Sequence, residues 1–225
     1  MVVRWAQIWH NRSSVAGSSS AGIVSIFLVR HTAPDIKPGI VYGDSNVPVH
    51  EEEFARVMPD ISAALPSAAL VISSPLSRCR RLADFLQIAS GEREVRIDDR
   101  LRERALGRWQ GGTWEDIPTE EMAALRANYL DYPAPGGESV RVLRDRVVAA
   151  FEDAWSAALG RHLVLVCHAG PIACIIAHWR GDFLKPGLRP MAGCGDVLRL
   201  DGGSVRSVSF LRRASPIDGR DDDVI

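Results

Sequence analysis

Three apolar runs in this sequence end in side chains that could seize a phosphate and move it. Arg30-His31 follows the run from Ile23 to Val29, Ser73-Ser74-Pro75-Leu76-Ser77-Arg78 follows ALVI, and His168-Ala169-Gly170-Pro171 follows LVLVC. A neutral imidazole is a competent nucleophile toward phosphorus, and neighbouring guanidinium groups disfavour its protonated form. The same cations would stabilise charge on the equatorial oxygens during transfer. A departing oxygen also needs a proton. Glu103, in LRERALG, is the candidate donor, provided that Arg102 and Arg104 point to the opposite face, as neighbours do in extended chain. Glu115 and Glu138 are rival carboxyls that loops could bring inward.

A second Arg-His pair, Arg161-His162, stands before an apolar run instead of after it and serves as an internal control. His10, His50, His162 and His178 read as leader, helix start, strand start and apolar-helix residues, and Arg80 and Arg81 as exposed helix arginines. Trp109 and Trp114 could wall a pocket for a ring-bearing substrate or pack in the core. Gly136-Gly137-Glu138-Ser139 reads as a flexible helix entry. A cysteine phosphatase needs C-x5-R around a phosphate loop, and Cys174 to Arg180 has that spacing. The segment lacks glycine and lies in a helical pattern, so its amides are committed to the helix. Ligation of a metal by His31, His168 and Glu103 is opposed by the adjacent arginines.

These side chains need a sheet to gather them. In open α/β sheets, ligands collect beyond the carboxyl ends of parallel strands, where loops and helix N-termini present donors. Residues 23–30 read as a buried strand, 50–64 as a helix opened by acids, and ALVISS followed by LSRCRRLADFLQIA as a strand and helix. Residues 93–98 suit a third strand, and LRERALGRWQGGTWEDIP, residues 101–118, is irregular and rich in Gly and Trp. A polar helix is expected over 119–130 and a helix with one apolar face over 139–159. LVLVCH and PIACIIAHWRG form the next strand and helix, and GDVLRLDGGSVRSVSFLRR alternates across a D-G-G turn as a hairpin. The expected fold is α/β, a three-layer α/β/α sandwich with a mostly parallel mixed sheet.

With 225 residues, one large domain can bury a sizeable core. The 27 basic and 28 acidic residues give a net charge of -1, so nothing in the bulk charge suggests nucleic acid or an anionic membrane surface. No window reaches the roughly 18 apolar residues of a membrane span. The four cysteines lack CxxC spacing and suit a reducing cytoplasm. Residues 1–22 read as a flexible leader, 23–211 as the catalytic domain and 212–225 as a disordered tail. The terminal hairpin could add an edge strand to a second copy, which would make a homodimer.

FLVRHTAPDI, SSPLSRCRRLA, LRERALGRWQG, PGGES and LVCHAG, in that order, resemble the histidine phosphatase superfamily, the phosphoglycerate-mutase-like group, over about residues 23–210. The resemblance implies a three-layer α/β/α fold and catalysis through a phosphohistidine, with neither metal nor cofactor, on a small phosphorylated metabolite. It implies His31 as nucleophile, Glu103 as proton donor, Arg30 and Arg78 as phosphate ligands, and His168 as a hydrogen-bonding partner of the transferring group. Thr32 and Ala169, which follow the two histidines, complete the expected phosphate-binding set. RHTAPDIKPGIVYGDSNVP looks most like the α-ribazole phosphatase branch, which acts on α-ribazole 5'-phosphate in cobalamin assembly. Mutases of the group usually have glycine where Thr32 stands and a longer insertion before the second histidine, so a hydrolase is expected. Asn46, where the branch usually has Asp, and Ala173, where many relatives have Arg, depart from it. A mutase-type phosphotransferase and a non-catalytic phospho-ligand binding module are the alternatives, and the complete Arg-His-Arg-Glu-His set disfavours the second.

Overall fold

A computed structural model describes residues 24–182, 192–202 and 206–213. The expected leader, and the expected tail from residue 214 onward, lie outside the described residues. Two strand and helix units and a third strand come first: β1 (Ile26–Arg30), α1 (Glu51–Ala63), β2 (Ala69–Ser73), α2 (Ser77–Ser90) and β3 (Arg93–Ile97). An irregular stretch with three short 3-10 turns follows, then α3 (Thr119–Ala127), α4 (Val140–Ala157), β4 (Leu163–Cys167), α5 (Ala169–Arg180), β5 (Val197–Gly202) and β6 (Arg206–Arg212). The strands form one six-stranded sheet in the order β3-β2-β4-β1-β5-β6. Strands β3, β2, β4 and β1 are parallel, and β5 and β6 run antiparallel to their neighbours.

Alternation along each strand divides the interior into two cores, because successive side chains of a strand face opposite sides. Ile26, Leu28, Leu70, Ile72, Leu163 and Leu165 pack with α4 and α5 on one side. Phe27, Val29, Val71, Val164 and Val166 pack with α1 and α2 on the other. All five residues of β1, β2 and β4 are buried, which explains their nearly continuous apolar runs. The expected three-layer α/β/α sandwich with a mostly parallel mixed sheet is therefore what forms.

Local chemistry sets the helix ends. The His50 side chain accepts from the Glu53 amide at the start of α1, whose first turn carries three glutamates, and Ser139 accepts from the Val142 amide at the start of α4. Helix α2 stops at Gly91, with φ of 69°, and α5 at Gly181, with φ of 74°, left-handed conformations that glycine adopts without strain. The polar helix ends earlier than the sequence suggested, at Ala127. Strand β6 runs to Arg212, the first residue of the expected tail, and the Arg212 guanidinium donates to the Gly195 carbonyl at 2.7 Å. The hairpin strands form as expected, while residues 203–205 of its turn lie outside the described residues. Among the described residues no helix is long and apolar enough to cross a membrane.

Candidate active site

Because β1 and β4 are parallel neighbours with Arg30 level with Cys167, the residues that follow each strand emerge side by side. The His31 amide donates to the Cys167 carbonyl at 3.1 Å. The His31 and His168 rings lie 5.1 Å apart between centroids, tilted by 59°. Strand β2, on the far side of β4, ends in Ser73 and delivers Ser74 and, as the second residue of α2, Arg78 to the same edge. Arg30, Arg78 and His168 are fully buried and His31 is 1% exposed.

The partners of His31 fix its tautomer. Its Nδ1 lies 2.7 Å from the Thr32 carbonyl, which can only accept, so Nδ1 carries the proton. Its Nε2 lies 3.3 Å from Arg78 Nε, which can only donate, so Nε2 presents its lone pair. Burial, then the Arg78 and Arg30 charges, hold the His31 pKa well below the usual histidine value, against a smaller opposing pull from the Thr32 carbonyl. The same causes act on His168: burial first, then Arg78, His31 and Arg30, also drive its pKa well down. Both imidazoles are neutral at pH 7.

Arg78 is aimed by backbone oxygens. Its Nη1 donates to the Ser45 carbonyl at 2.7 Å and its Nη2 to the Gly43 carbonyl at 2.9 Å, and the guanidinium sits 5.1 Å above the Tyr42 ring centroid. The loop that provides these carbonyls is itself tied to α2, since Asn46 Oδ1 accepts from the Ser77 amide at 2.7 Å. Arg30 Nη1 donates to the Ala192 carbonyl at 2.7 Å. His168 Nε2 lies 2.8 Å from Ser74 Oγ and 3.4 Å from Cys79 Sγ.

Glu103 arrives from the irregular stretch and is 8% exposed. Its Oε2 accepts from the Gly170 amide at 3.1 Å, in the first turn of α5, where backbone N–H groups have no acceptor within the helix. Its Oε1 accepts from the Arg104 amide at 2.8 Å. Gly170 must be small for this approach: a Cβ there would stand 2.3 Å from Glu103 Oε1. The flanking side chains turn away as expected, Arg102 toward Asp44 at 4.0 Å and Arg104 toward the Glu138 carbonyl at 3.1 Å. Of the rival carboxyls, Glu115 is exposed, and Glu138 is paired with Arg146.

The structure thus brings His31, Arg30, Arg78, His168 and Glu103 to one edge of the sheet. Ala169 opens α5 beside them, so its amide is one of the first-turn donors. Thr32 is 1% exposed, and its hydroxyl is closed off with no hydrogen-bond partner, so its carbonyl is the group that reaches the site's machinery. Trp109 is a core residue whose indole donates to Glu121 at 2.6 Å, and Trp114 packs partly buried against the same core. Cys174 is buried within α5, and burial pushes its thiol up to about 12, the reverse of an activated thiolate. Among the described residues no three His, Cys, Asp or Glu side chains converge as metal ligands.

Sequence reasoning names Ser74 and Gly170 only as members of the strand-end runs and gives no role to Tyr42 or to the carbonyls of Gly43 and Ser45. The Tyr-Gly pair inside RHTAPDIKPGIVYGDSNVP is a signal for Tyr42 and Gly43, and the small residue between Ala169 and Pro171 is one for Gly170. The carbonyls leave none, because every residue has one.

A family model for the histidine phosphatase superfamily (branch 1) matches residues 26–205. Phosphoglycerate mutase-like protein 4 of Arabidopsis thaliana is 36% identical over 119 residues, or 51% of this chain and 52% of that protein, so the chain spans about half the length of that relative. A protein of Salmonella paratyphi C named as the probable phosphoglycerate mutase GpmB is 29% identical over 162 residues, 69% of this chain and 74% of that one. Among solved structures, an Escherichia coli protein provisionally assigned as an alpha-ribazole-5'-P phosphatase shares the fold with a TM-score of 0.68, over 88% of this chain and 100% of that one, at 18% identity.

Proposed function

The chain belongs to the histidine phosphatase superfamily (branch 1), and from that premise we propose that it is a phosphomonoesterase that works through a phosphohistidine on His31, without a metal. The observation that carries this reading is the pair of contacts on His31, Nδ1–H to the Thr32 carbonyl and Arg78 N–H to Nε2, which together present a neutral nucleophile beside a cation. In the first step His31 Nε2 attacks phosphorus in line with the ester oxygen. The N–P bond forms as the P–O bond breaks, and Glu103 passes its proton to the departing alkoxide. In the second step water attacks phosphorus and gives a proton to Glu103, the P–N bond breaks, and inorganic phosphate leaves. Arg30, Arg78, His168 and the Ala169 amide hold the equatorial oxygens. With Arg78 drawn toward phosphate, its bond to Nε2 opens and frees the lone pair.

For the substrate we propose a small phosphorylated metabolite, with α-ribazole 5'-phosphate as the first to test. The RHTAPDIKPGIVYGDSNVP stretch supports it. A mutase-type phosphotransferase is the second reading, favoured by the names of the two relatives above. Thr32 in place of glycine and the short span of residues 104–167 between Glu103 and His168 favour the hydrolase. Its proposed location is the cytoplasm.

The test is an assay of the full chain against p-nitrophenyl phosphate with chelator present, wild type beside His31→Ala. The hydrolase predicts turnover that survives the chelator and disappears in the variant. Activity lost to the chelator, or kept by the variant, overturns the mechanism. The mutase reading predicts instead the isomerisation of 3-phosphoglycerate, stimulated by a bisphosphate primer. A panel of phosphomonoesters read as kcat/KM tests the substrate, and a flat profile would dismiss α-ribazole 5'-phosphate.

A further inference from the structure

Glu103 sits on a stretch that belongs to no strand or α-helix, so its backbone carbonyls need donors from elsewhere. One side chain provides them. From α4, Arg146 Nη1 donates to the carbonyls of Arg100 at 2.7 Å and Arg102 at 2.8 Å, and Nη2 donates to the carbonyl of Glu103 itself at 3.0 Å. The remaining donors grip Glu138: Nε reaches Oε2 at 3.0 Å and Nη2 bonds Oε1. All five N–H groups that a guanidinium owns are therefore committed. Glu138 closes the clamp, since its Oε1 accepts from the Ala105 amide at 3.0 Å and its own amide donates to the Ala105 carbonyl at 2.9 Å. The backbones touch directly as well, because a Cβ on Gly137 would stand 2.3 Å from the Ala105 carbonyl oxygen and one on Gly107 2.3 Å from that of Pro135. The PGGES stretch, which the sequence suggested was a flexible helix entry, is one half of a strap.

We propose that Arg146 and Glu138 are positioning residues for proton transfer, a clamp that holds the Glu103 backbone so that its carboxyl reaches the leaving oxygen. The inference rests on reading Glu103 as the proton donor. Proton transfer requires hydrogen-bond reach, and misplacement by about 1 Å can cost about 100-fold. Lysine cannot substitute, because an ammonium has three donors and no planar fork. The Arg146 charge also bears on His168, lowering its pKa, but Arg146→Lys keeps that charge and removes only the planar grip on the Glu103 backbone, so the variant tests the clamp.

The leaving group separates this role from a general structural one. p-Nitrophenolate departs readily without a proton, whereas the alkoxide of glycerol 2-phosphate does not. Wild type, Arg146→Lys, Glu138→Gln and Glu103→Gln are compared by kcat/KM, which reports phosphoryl transfer to the enzyme, on both substrates. The ratio of the two values on one preparation cancels any loss of folded protein, so it stays readable in a destabilised variant. The expected result is a fall of about 10- to 100-fold on glycerol 2-phosphate with less than about 5-fold on p-nitrophenyl phosphate for Arg146→Lys. Glu138→Gln should shift the ratio in the same direction by less, and Arg146→Lys added to Glu103→Gln should shift it no further. Equal losses on both substrates for Arg146→Lys and Glu138→Gln, with Glu103→Gln still selective, overturn the clamp and leave the donor assignment standing. A ratio unchanged in Glu103→Gln overturns the donor assignment, and the clamp falls with it.

Discussion

Strands β1 and β4 run side by side, and each end of the pair carries an Arg-His dipeptide in a different chemical situation. At the carboxyl end, Arg30-His31 is buried, faces a second histidine and a second arginine, and has its imidazole polarised between a carbonyl and a guanidinium. At the amino end, Arg161 pairs with Glu94 at 2.7 Å, and His162 Nδ1 accepts from the Ser25 amide at 3.2 Å while its ring packs against Phe27. The second pair finishes a strand edge: its cation is exposed and matched to an anion, and its imidazole satisfies an orphan amide. The difference is position in the sheet and not composition. At the carboxyl end the loops after β1 and β4, the first turns of α2 and α5 and the end of β2 converge.

The widest separation between the two ends should appear on removing each imidazole. His31→Ala is expected to lower kcat/KM toward p-nitrophenyl phosphate by about 10⁴-fold or more, and His162→Ala to leave it within about 3-fold. Comparable losses in both variants would erase the distinction. The arginines come next. Arg78→Lys should cost about 100- to 1000-fold, because lysine cannot bond two carbonyls and a transferring phosphate in one plane, while Arg161→Lys should change turnover little. A smaller effect is expected at Gly170, where alanine would push against Glu103 Oε1. A loss of about 10-fold in kcat/KM on an alkyl phosphate, with the melting temperature nearly unchanged, would support the close approach, and unchanged kinetics would contradict it.

The pH dependence of stability sharpens the comparison further. His31 and His168 have folded-state pKa values well below that of an unfolded chain, so below about pH 6.5 the unfolded state binds more protons. Their contribution is therefore fully present above that pH and is lost as the pH falls toward the depressed folded values. Thermal melts from pH 8 to pH 4 should show this loss, and His31→Asn should flatten it. An unaltered profile in the variant would mean that the burial of His31 is not felt by the fold.

Much of this arrangement could be read in advance, and the unread parts share a cause. Strands β1, β2 and β4 announce themselves as short apolar runs because both faces are covered, and α4 shows its stripe from Val140 to Phe151. Residues 101–118 carry no period, and their 3-10 turns are held by tertiary contacts such as the Arg108 amide donating to the Pro135 carbonyl at 2.9 Å. The two histidines and two arginines are legible because polar and charged groups after a buried apolar run are costly and need a reason, and Glu103 because the chemistry they suggest needs a proton donor. The Ser74 hydroxyl against His168, the carbonyls that aim Arg78 and the fivefold grip of Arg146 are not, because each depends on chain segments distant in sequence.

The pairing of Arg30 with Cys167 carries one more consequence. A strand has a period of two, so sliding β1 by a single residue along β4 would send Leu28 into the core that Val29 now fills and turn His31 away from His168. The oily residues on either side of the sheet thus act as a gauge that sets the spacing of the two imidazoles. A chain that sorts its leucines and valines to the correct sides has, by the same act, calibrated its reactive edge, and a misaligned edge would be detectable first as an unstable core.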